Sequence, residues 1–342
     1  MGAAGGIRKP IARVVVVAAA LALAGAFGCA GKKDLDAPNR AEAVSLAVTP
    51  WPASAPVYIA QEKGYFRDEG LQVTLRPNAS GHLGLHDVLA GEADLAVAGD
   101  TPIARAMVDG RSLAVVATIC EIDRAILIIA RKDRGIAAPD DLRGKAVGLV
   151  AGTTAEFYLH IYLTVSQIDP QEVRIVHLAP EALVDALLSG AVDAVSTWAP
   201  QTIVLRDQLG SRAVVLYDPS IYTMTWNLVA TQAFVQAHPG RLRKFLRAVL
   251  RANLFINEHS AETRAISAKN IGTDSPLFER EWTDYHFAAV LDQSLILNLE
   301  DQARWMIKRE AGRDRMPPNF LHCIHVEGLK AVQPGAVRIA GR

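Results

Sequence analysis

The feature that most constrains this chain is a repeat. Residues 89–102 read Leu-Ala-Gly-Glu-Ala-Asp-Leu-Ala-Val-Ala-Gly-Asp-Thr-Pro, and residues 188–200 read Leu-Ser-Gly-Ala-Val-Asp-Ala-Val-Ser-Thr-Trp-Ala-Pro. In both, an amphipathic helical pattern stops at a glycine, Gly91 or Gly190. An aspartate follows three residues on, Asp94 or Asp193, and a short apolar run leads through polar or aromatic residues to a proline. Glycine suits the left-handed position that ends a helix, the apolar run suits a parallel strand covered on both faces, and proline suits the first turn of the next helix. Each copy therefore predicts helix, turn, buried strand, loop, helix. Taken singly, each is also an ordinary turn of an α/β enzyme; taken together, they imply two similar α/β lobes. Ligands of open parallel sheets sit beyond the carboxyl ends of the strands, so Gly99-Asp100-Thr101 and Thr197-Trp198 are expected where two lobes could face each other across a cleft.

The chain has 342 residues, half of them hydrophobic, enough for two cores of ordinary domain size. Its 36 basic and 36 acidic residues balance, and no basic run or aromatic-interleaved stripe offers a footprint for nucleic acid. At the N-terminus Arg8, Lys9 and Arg13 precede a short apolar run ending in small residues, which has the form of a secretory signal. Residues 1–28 are expected to be that signal, and residues 29–43 a tether. Ala26-Phe27-Gly28-Cys29 resembles a bacterial lipobox, with Cys29 acylated and the protein held to a membrane through that lipid. Ala24-Gly25-Ala26 would suit the ordinary signal peptidase instead. The other two cysteines, Cys120 and Cys323, do not make a disulfide framework, and their pairing stays open.

Residues 44–49 alternate like a first strand and lead to Pro50-Trp51-Pro52, which puts Trp51 on a loop at the strand's carboxyl end. From here the residues carry a resemblance. Trp51, Tyr58-Ile59-Ala60, Lys63-Gly64-Tyr65-Phe66, Gly70-Leu71-Gln72-Val73, Gly91-Glu92-Ala93-Asp94 and the run from Asp141 to Gly148 resemble the solute-binding proteins of ABC importers for nitrate, sulfonates, taurine and thiamine-precursor pyrimidines. The resemblance runs from about residue 44 to about residue 332. It implies a type II periplasmic-binding fold: two α/β lobes, each a mainly parallel sheet flanked by helices, closing on a small solute and delivering it to a membrane permease. Lobe one is expected from residues 44–130 and 219–342, and lobe two from residues 131–218. The chain is expected to act as a monomer.

Candidate ligand residues come from the loops. Ser80-Gly81 opens a helix whose free N–H groups could seat an anion, although Ser80 could equally cap its own helix. Asp100 and Thr101 start the helix after the first copy's strand. The resemblance puts Gly152-Thr153-Thr154 opposite them and makes Trp198 line the cleft. Thr153 and Glu156 also have capping-box spacing. Glu121 and Trp226 complete the set, Trp226 where the chain rejoins lobe one. Trp51 and Trp198, if they face each other, could sandwich a flat ring or an alkyl chain. With Asp100, Glu121 and Glu156 near the cleft and Arg124 the one base near by in sequence, a solute with both donors and acceptors, such as an amino-sulfonate or a pyrimidine, is expected over bare nitrate.

Downstream, Leu242, Phe245, Leu246, Val249 and Leu250 form the apolar stripe of a long helix, with Arg241, Arg243, Lys244 and Arg247 on a solvated face. Residues 260–310 are expected to continue as helices, and residues 317–342 to form a looped tail. His82 with His86, and His322-Cys323-Ile324-His325, lack the usual metal-site spacings, so no metal and no cofactor is expected. Gly-x-Ser-x-Gly, His-Glu-x-x-His and phosphate-loop signatures are missing, which argues against an enzyme. The alternatives are an extracytoplasmic sensor of the same fold or, less suited to an exported chain, a same-fold enzyme of thiamine-pyrimidine or menaquinone-precursor chemistry.

Overall fold

A computed structural model describes residues 41–272, 276–310 and 315–340; Cys29, the signal and most of the expected tether lie outside the described residues. The strands are β1 (Glu42–Val48), β2 (Leu71–Pro77), β3 (Leu95–Gly99), β4 (Ala114–Ile122), β5 (Leu127–Arg131), β6 (Ala146–Leu149), β7 (Arg174–His177), β8 (Ala194–Thr197), β9 (Ala213–Leu216), β10 (Met224–Ala230), β11 (Tyr285–Asp292) and β12 (Val337–Arg338). They form two sheets, one in the order β12-β11-β4-β10-β3-β1-β2 and the other β7-β6-β8-β5-β9.

The repeat found in the sequence occupies equivalent places in the two sheets. β3 lies between β1 and β10, and β8 lies between β6 and β5; in each sheet the second, first and third strands are followed by one strand arriving from the other lobe. Those arriving strands run against their neighbours. β10 is antiparallel to β3 and β4, and β5 is antiparallel to β8 and β9. Each sheet is therefore mixed, with parallel pairing kept around β1 and β6. A chain that leaves one lobe at the end of its fourth strand enters the other from the opposite direction, which accounts for the reversal.

The glycines and aspartates of the repeat act alike. Gly91 and Gly190 end their helices in the left-handed region, at φ 78° and 81°. The Asp94 carboxylate then accepts from the backbone N–H and hydroxyl of Ser45, at 2.7 and 2.8 Å, and the Asp193 carboxylate accepts from the backbone N–H of Ala146 at 2.9 Å. Each aspartate thus fixes the start of its lobe's third strand to the first strand.

The boundaries and elements differ from expectation in four places. β5 pairs with β8 and β9, so residues 127–130 belong to the second sheet and the first crossing comes before β5. Glu42 and Ala43 are part of β1, paired with Leu71 and Gln72, so they are not tether. The region expected to be continuous helix contains β11, whose residues Phe287, Ala289 and Leu291 alternate into the core and whose partner is the edge of β4. The C-terminal stretch, expected as loop, adds a helix (Val326–Val332) and β12. A single strand between two helices has a short alternating signal that the helical patterns on either side mask.

The long helix Pro239–Glu258 buries Leu242, Phe245, Leu246 and Val249 as its stripe requires. Its basic side chains are not simply solvated: Arg241 and Lys244 meet Glu42, and Arg247 meets Glu69 at 2.6 Å. One apolar core runs from the first sheet into the second lobe through Phe157, Tyr158 and Tyr222, while a smaller one fills the second lobe's other face around Leu127, Leu183 and Val195. Among the described residues no helix is long and apolar enough to cross a membrane.

Candidate functional site

The lobes meet where the carboxyl ends of β3 and β6 feed their helices. The hydroxyl of Thr101, in the Asp100–Val108 helix, lies 2.6 Å from the hydroxyl of Thr154, which starts the Thr154–Val165 helix. The pair expected to face across the cleft therefore touches, and the contact is buried.

Asp100 shares the turn but plays another part. It is fully buried, and its carboxylate accepts from Tyr222 Oη at 2.8 and 2.9 Å, Asn298 Nδ2 at 2.7 Å, and the backbone N–H groups of Thr101 at 2.8 Å and Thr225 at 3.2 Å. Burial raises its pKa, and the donors oppose that rise. The carboxylate ties the strand-end turn to the second crossing and to the C-terminal helix Gln293–Arg309. These donors fill its acceptor positions, so the carboxylate holds the frame of the turn.

On the other lobe Glu156 is also committed. Its carboxylate accepts from the N–H of Gly152 at 2.7 Å and pairs with Arg309 at 2.6 Å and with His177 at 3.4 Å. The expected capping box does not form: Glu156 reaches Gly152 and not the N–H of Thr153, while the Thr153 hydroxyl donates to the carbonyl of Val150 at 2.7 Å. Gly152 has φ 72°, which lets the chain turn back over the helix start. Arg309 comes from the C-terminal helix, so a base absent from the neighbouring sequence neutralises this carboxylate. Arg124, the base that proximity in sequence singled out, instead lies over the Tyr217 ring and 3.8 Å from Asp284.

The tryptophans rearrange the expectation further. Trp51 packs edge-on against Trp226 and Tyr285, with centroids 5.0 and 5.9 Å apart, and no ring contact joins it to Trp198 among the described residues. Trp226 is buried, and its indole N–H donates to Ser54 Oγ at 3.1 Å. It backs the site as a wall, because β10 is an interior strand of the sheet. Gly81 fits only as glycine: a Cβ there would lie 2.8 Å from the Trp226 ring and 3.0 Å from the Ala98 backbone. Ser80 caps its own helix, accepting from Leu83 N at 3.3 Å. Trp198 lies half-buried in the turn after β8. Glu121 stands at the end of β4, opposite Thr225 and His286, beside the second crossing.

Four polar atoms near these loops are buried without a hydrogen-bond partner. Thr49 Oγ1 and Trp51 Nε1 follow β1, while Thr197 Oγ1 ends β8 and Gln201 Oε1 lies in the helix behind it. Pairing of Ala47 with Ala96 sets Thr49 beside the end of β3, and pairing of Gly148 with Val195 sets Thr197 beside the end of β6. Both are therefore next to the strand ends that meet at Thr101 and Thr154. A buried polar atom without a partner costs about 1–3 kcal/mol, so each of these atoms calls for a partner from water or from another molecule. Sequence reasoning passed over Thr49 and Gln201 because single polar residues carry no pattern. It passed over Arg309 and Asn298 because the fold brings them from the far end of the chain.

The metal readings gain no geometry: His82 and His86 are exposed on their helix, and among the described residues no group of three or more His, Cys, Asp or Glu could hold a metal ion. Cys120 and Cys323 are both buried free thiols.

A family model described as NMT1/THI5 like matches residues 51–263. The chain is 25% identical over 213 residues to a putative aliphatic sulfonates-binding protein of Bacillus subtilis, covering 61% of this chain and 64% of that protein, so the match spans just under two thirds of the relative. It is 24% identical over 223 residues to the taurine-binding periplasmic protein of Escherichia coli, covering 62% and 67%. It is also 28% identical over 229 residues to the 4-amino-5-hydroxymethyl-2-methylpyrimidine phosphate synthase of Aspergillus parasiticus, covering 60% and 63%. Among solved structures, the periplasmic aliphatic sulphonate binding protein SsuA of Escherichia coli has the same fold, with a TM-score of 0.71 at 18% identity over 83% of this chain and 97% of that one.

Proposed function

The chain belongs to the NMT1/THI5-like family, and from that premise we propose that it is an extracytoplasmic receptor that closes two lobes on a small sulfonate-type solute and hands it to an ABC import permease. The observation that carries this reading is the seam itself: two lobes joined by two crossings, touching at Thr101 and Thr154, with unpartnered buried polar atoms in the strand-end loops of both. The unpartnered set contains donors (Trp51 Nε1 and the hydroxyls of Thr49 and Thr197) and an acceptor (Gln201 Oε1). Hydroxyl and N–H donors suit sulfonate oxygens, and the amide oxygen suits an ammonium, so an amino-sulfonate fits this inventory better than nitrate. The pairing of Glu156 with Arg309 and the saturation of Asp100 remove two carboxylates that would otherwise repel an anion. Relatives that bind sulfonates and taurine support the same class; a receptor is favoured over a catalyst because, among the described residues, no nucleophile and base pair converges on the seam.

A thermal-shift screen of taurine, alkanesulfonates, nitrate and thiamine-precursor pyrimidines tests this reading. The true solute at a hundred times its dissociation constant adds about 2.7 kcal/mol of stability. Stabilisation by nitrate alone would overturn the amino-sulfonate preference, and stabilisation by pyrimidines alone would move the chain to the thiamine branch. Export and anchorage through Cys29 belong to the same proposal. Cys29→Ser is expected to move the mature protein from the membrane to the soluble fraction, since the lipid would be its only hold there; unchanged fractionation would mean the acyl anchor is absent.

A further inference from the structure

A second space lies between the lobes, beside the seam and behind the residues that hold Asp100. An open cleft of about 690 Å³ is lined by the Thr154–Val165 helix, the second crossing and the Gln293–Arg309 helix, a volume in the range of small-molecule sites. Thr101, Thr154 and the four unpartnered atoms' residues at the seam do not line it. One wall is aromatic. Phe157 meets Tyr222 and Trp305 edge-on, with centroids 5.6 and 5.4 Å apart. Trp305 is only 7% exposed, and its indole N–H has no hydrogen-bond partner.

Of the carboxylates and cationic side chains lining this wall, all but two have an ionic or hydrogen-bonding partner. Asp301 pairs with Arg304 at 2.8 Å and Asp123 with His286 at 2.7 Å. Glu121 and Lys308 have no ion pair or side-chain hydrogen bond among the described residues. Burial and the neighbouring Asp292 and Asp123 carboxylates raise the Glu121 pKa, while His286 and Arg338 oppose that rise; a cation reaching the unpaired Glu121 carboxylate would favour its charged form. Asp292 caps the start of the C-terminal helix and Lys308 lies in its last turn. Ser294 and Lys308, which both line the cavity, stand about 21 Å apart along that helix. The space is long, acidic at one end, basic at the other and aromatic between.

We propose that this cavity binds a linear zwitterion, with its ammonium group at Glu121, its acidic group at Lys308 and an apolar chain along Phe157, Tyr222 and Trp305. Its walls come from both lobes, so an occupant favours the closed arrangement and, by linkage, strengthens binding of a solute at the seam. Two sources share this chemistry, a long ω-amino acid and a short extended peptide; about five residues span at most about 17 Å.

Titration calorimetry on the full chain with ω-aminododecanoate and with an apolar pentapeptide bearing free termini tests the proposal and tells the two sources apart. At least one probe should bind. Blocking its amine or its acid should weaken binding about tenfold. Lys308→Met should weaken the free-acid probe about tenfold and leave the amidated probe unaffected, and Glu121→Gln should do the same for the amine end. Lys308 is exposed, so its replacement leaves folding intact. Thr197→Val, at the seam, should not alter probe affinity. The proposal is overturned by no binding of either probe at millimolar concentration, by indifference to both charge variants, or by loss of probe binding in Thr197→Val, which would put the probe in the solute site.

Discussion

The two copies of the helix–turn–strand unit share a frame and diverge at their tips. In both, a left-handed glycine ends the helix and an aspartate fastens the start of the third strand to the first. Beyond the strand they part. After β3 the first polar residue, Asp100, is saturated by donors from the second crossing and the C-terminal helix. After β8, Thr197 and Gln201 keep buried polar atoms with no partner. One tip is built into the joint between the lobes, and the other is left able to take a ligand. A duplicated scaffold can therefore hold its geometry with two residues per copy and leave the strand ends to separate tasks.

This contrast breaks most visibly at Asp100. Asp100→Ala strands the Tyr222 hydroxyl, the Asn298 amide and two backbone N–H groups in a buried place, and is expected to cost about 3–5 kcal/mol in a urea unfolding titration. A loss below 1 kcal/mol would mean that the first tip is as open as the second. The shared clamps should cost less and in unequal measure. Asp94→Ala loses two donors from Ser45 and is expected to cost about 2 kcal/mol, while Asp193→Ala loses the Ala146 N–H and is expected to cost about 1 kcal/mol.

The charge state of Asp100 offers a finer measure. Its pKa is raised by burial, so the folded chain holds this proton more tightly than the unfolded one. The group's contribution is then whole below the unfolded value of about 4 and is lost as pH rises through the folded value. The stability advantage of the wild type over Asp100→Asn is expected to shrink as pH rises through that window and to level off above it. An advantage that grows with pH would show that the donors outweigh burial. The smallest effect on stability belongs to the second tip: Thr197→Val removes an unpartnered hydroxyl and should shift stability by no more than about 0.5 kcal/mol, while lowering solute affinity about tenfold. A Thr197→Val protein with full affinity would take this tip out of the solute site.

The sequence by itself determined the architecture, because glycine at a helix end, an aspartate three residues on and a short apolar run are local necessities whose repetition reports two equivalent lobes. The family resemblance, and not the repeat, set Thr154 opposite Thr101, and the two hydroxyls meet in the structure. Tertiary structure alone decided what each polar group does there. Trp226 became a wall because β10 is an interior strand, and β5 joined the second lobe because pairing, not order along the chain, assigns a strand to a sheet. Asn298 and Arg309 reached Asp100 and Glu156 only because the C-terminal helix lies across the joint. Periodicity and turn chemistry act over a few residues, whereas the partner of a buried charge is set by packing between segments that have no relation in sequence.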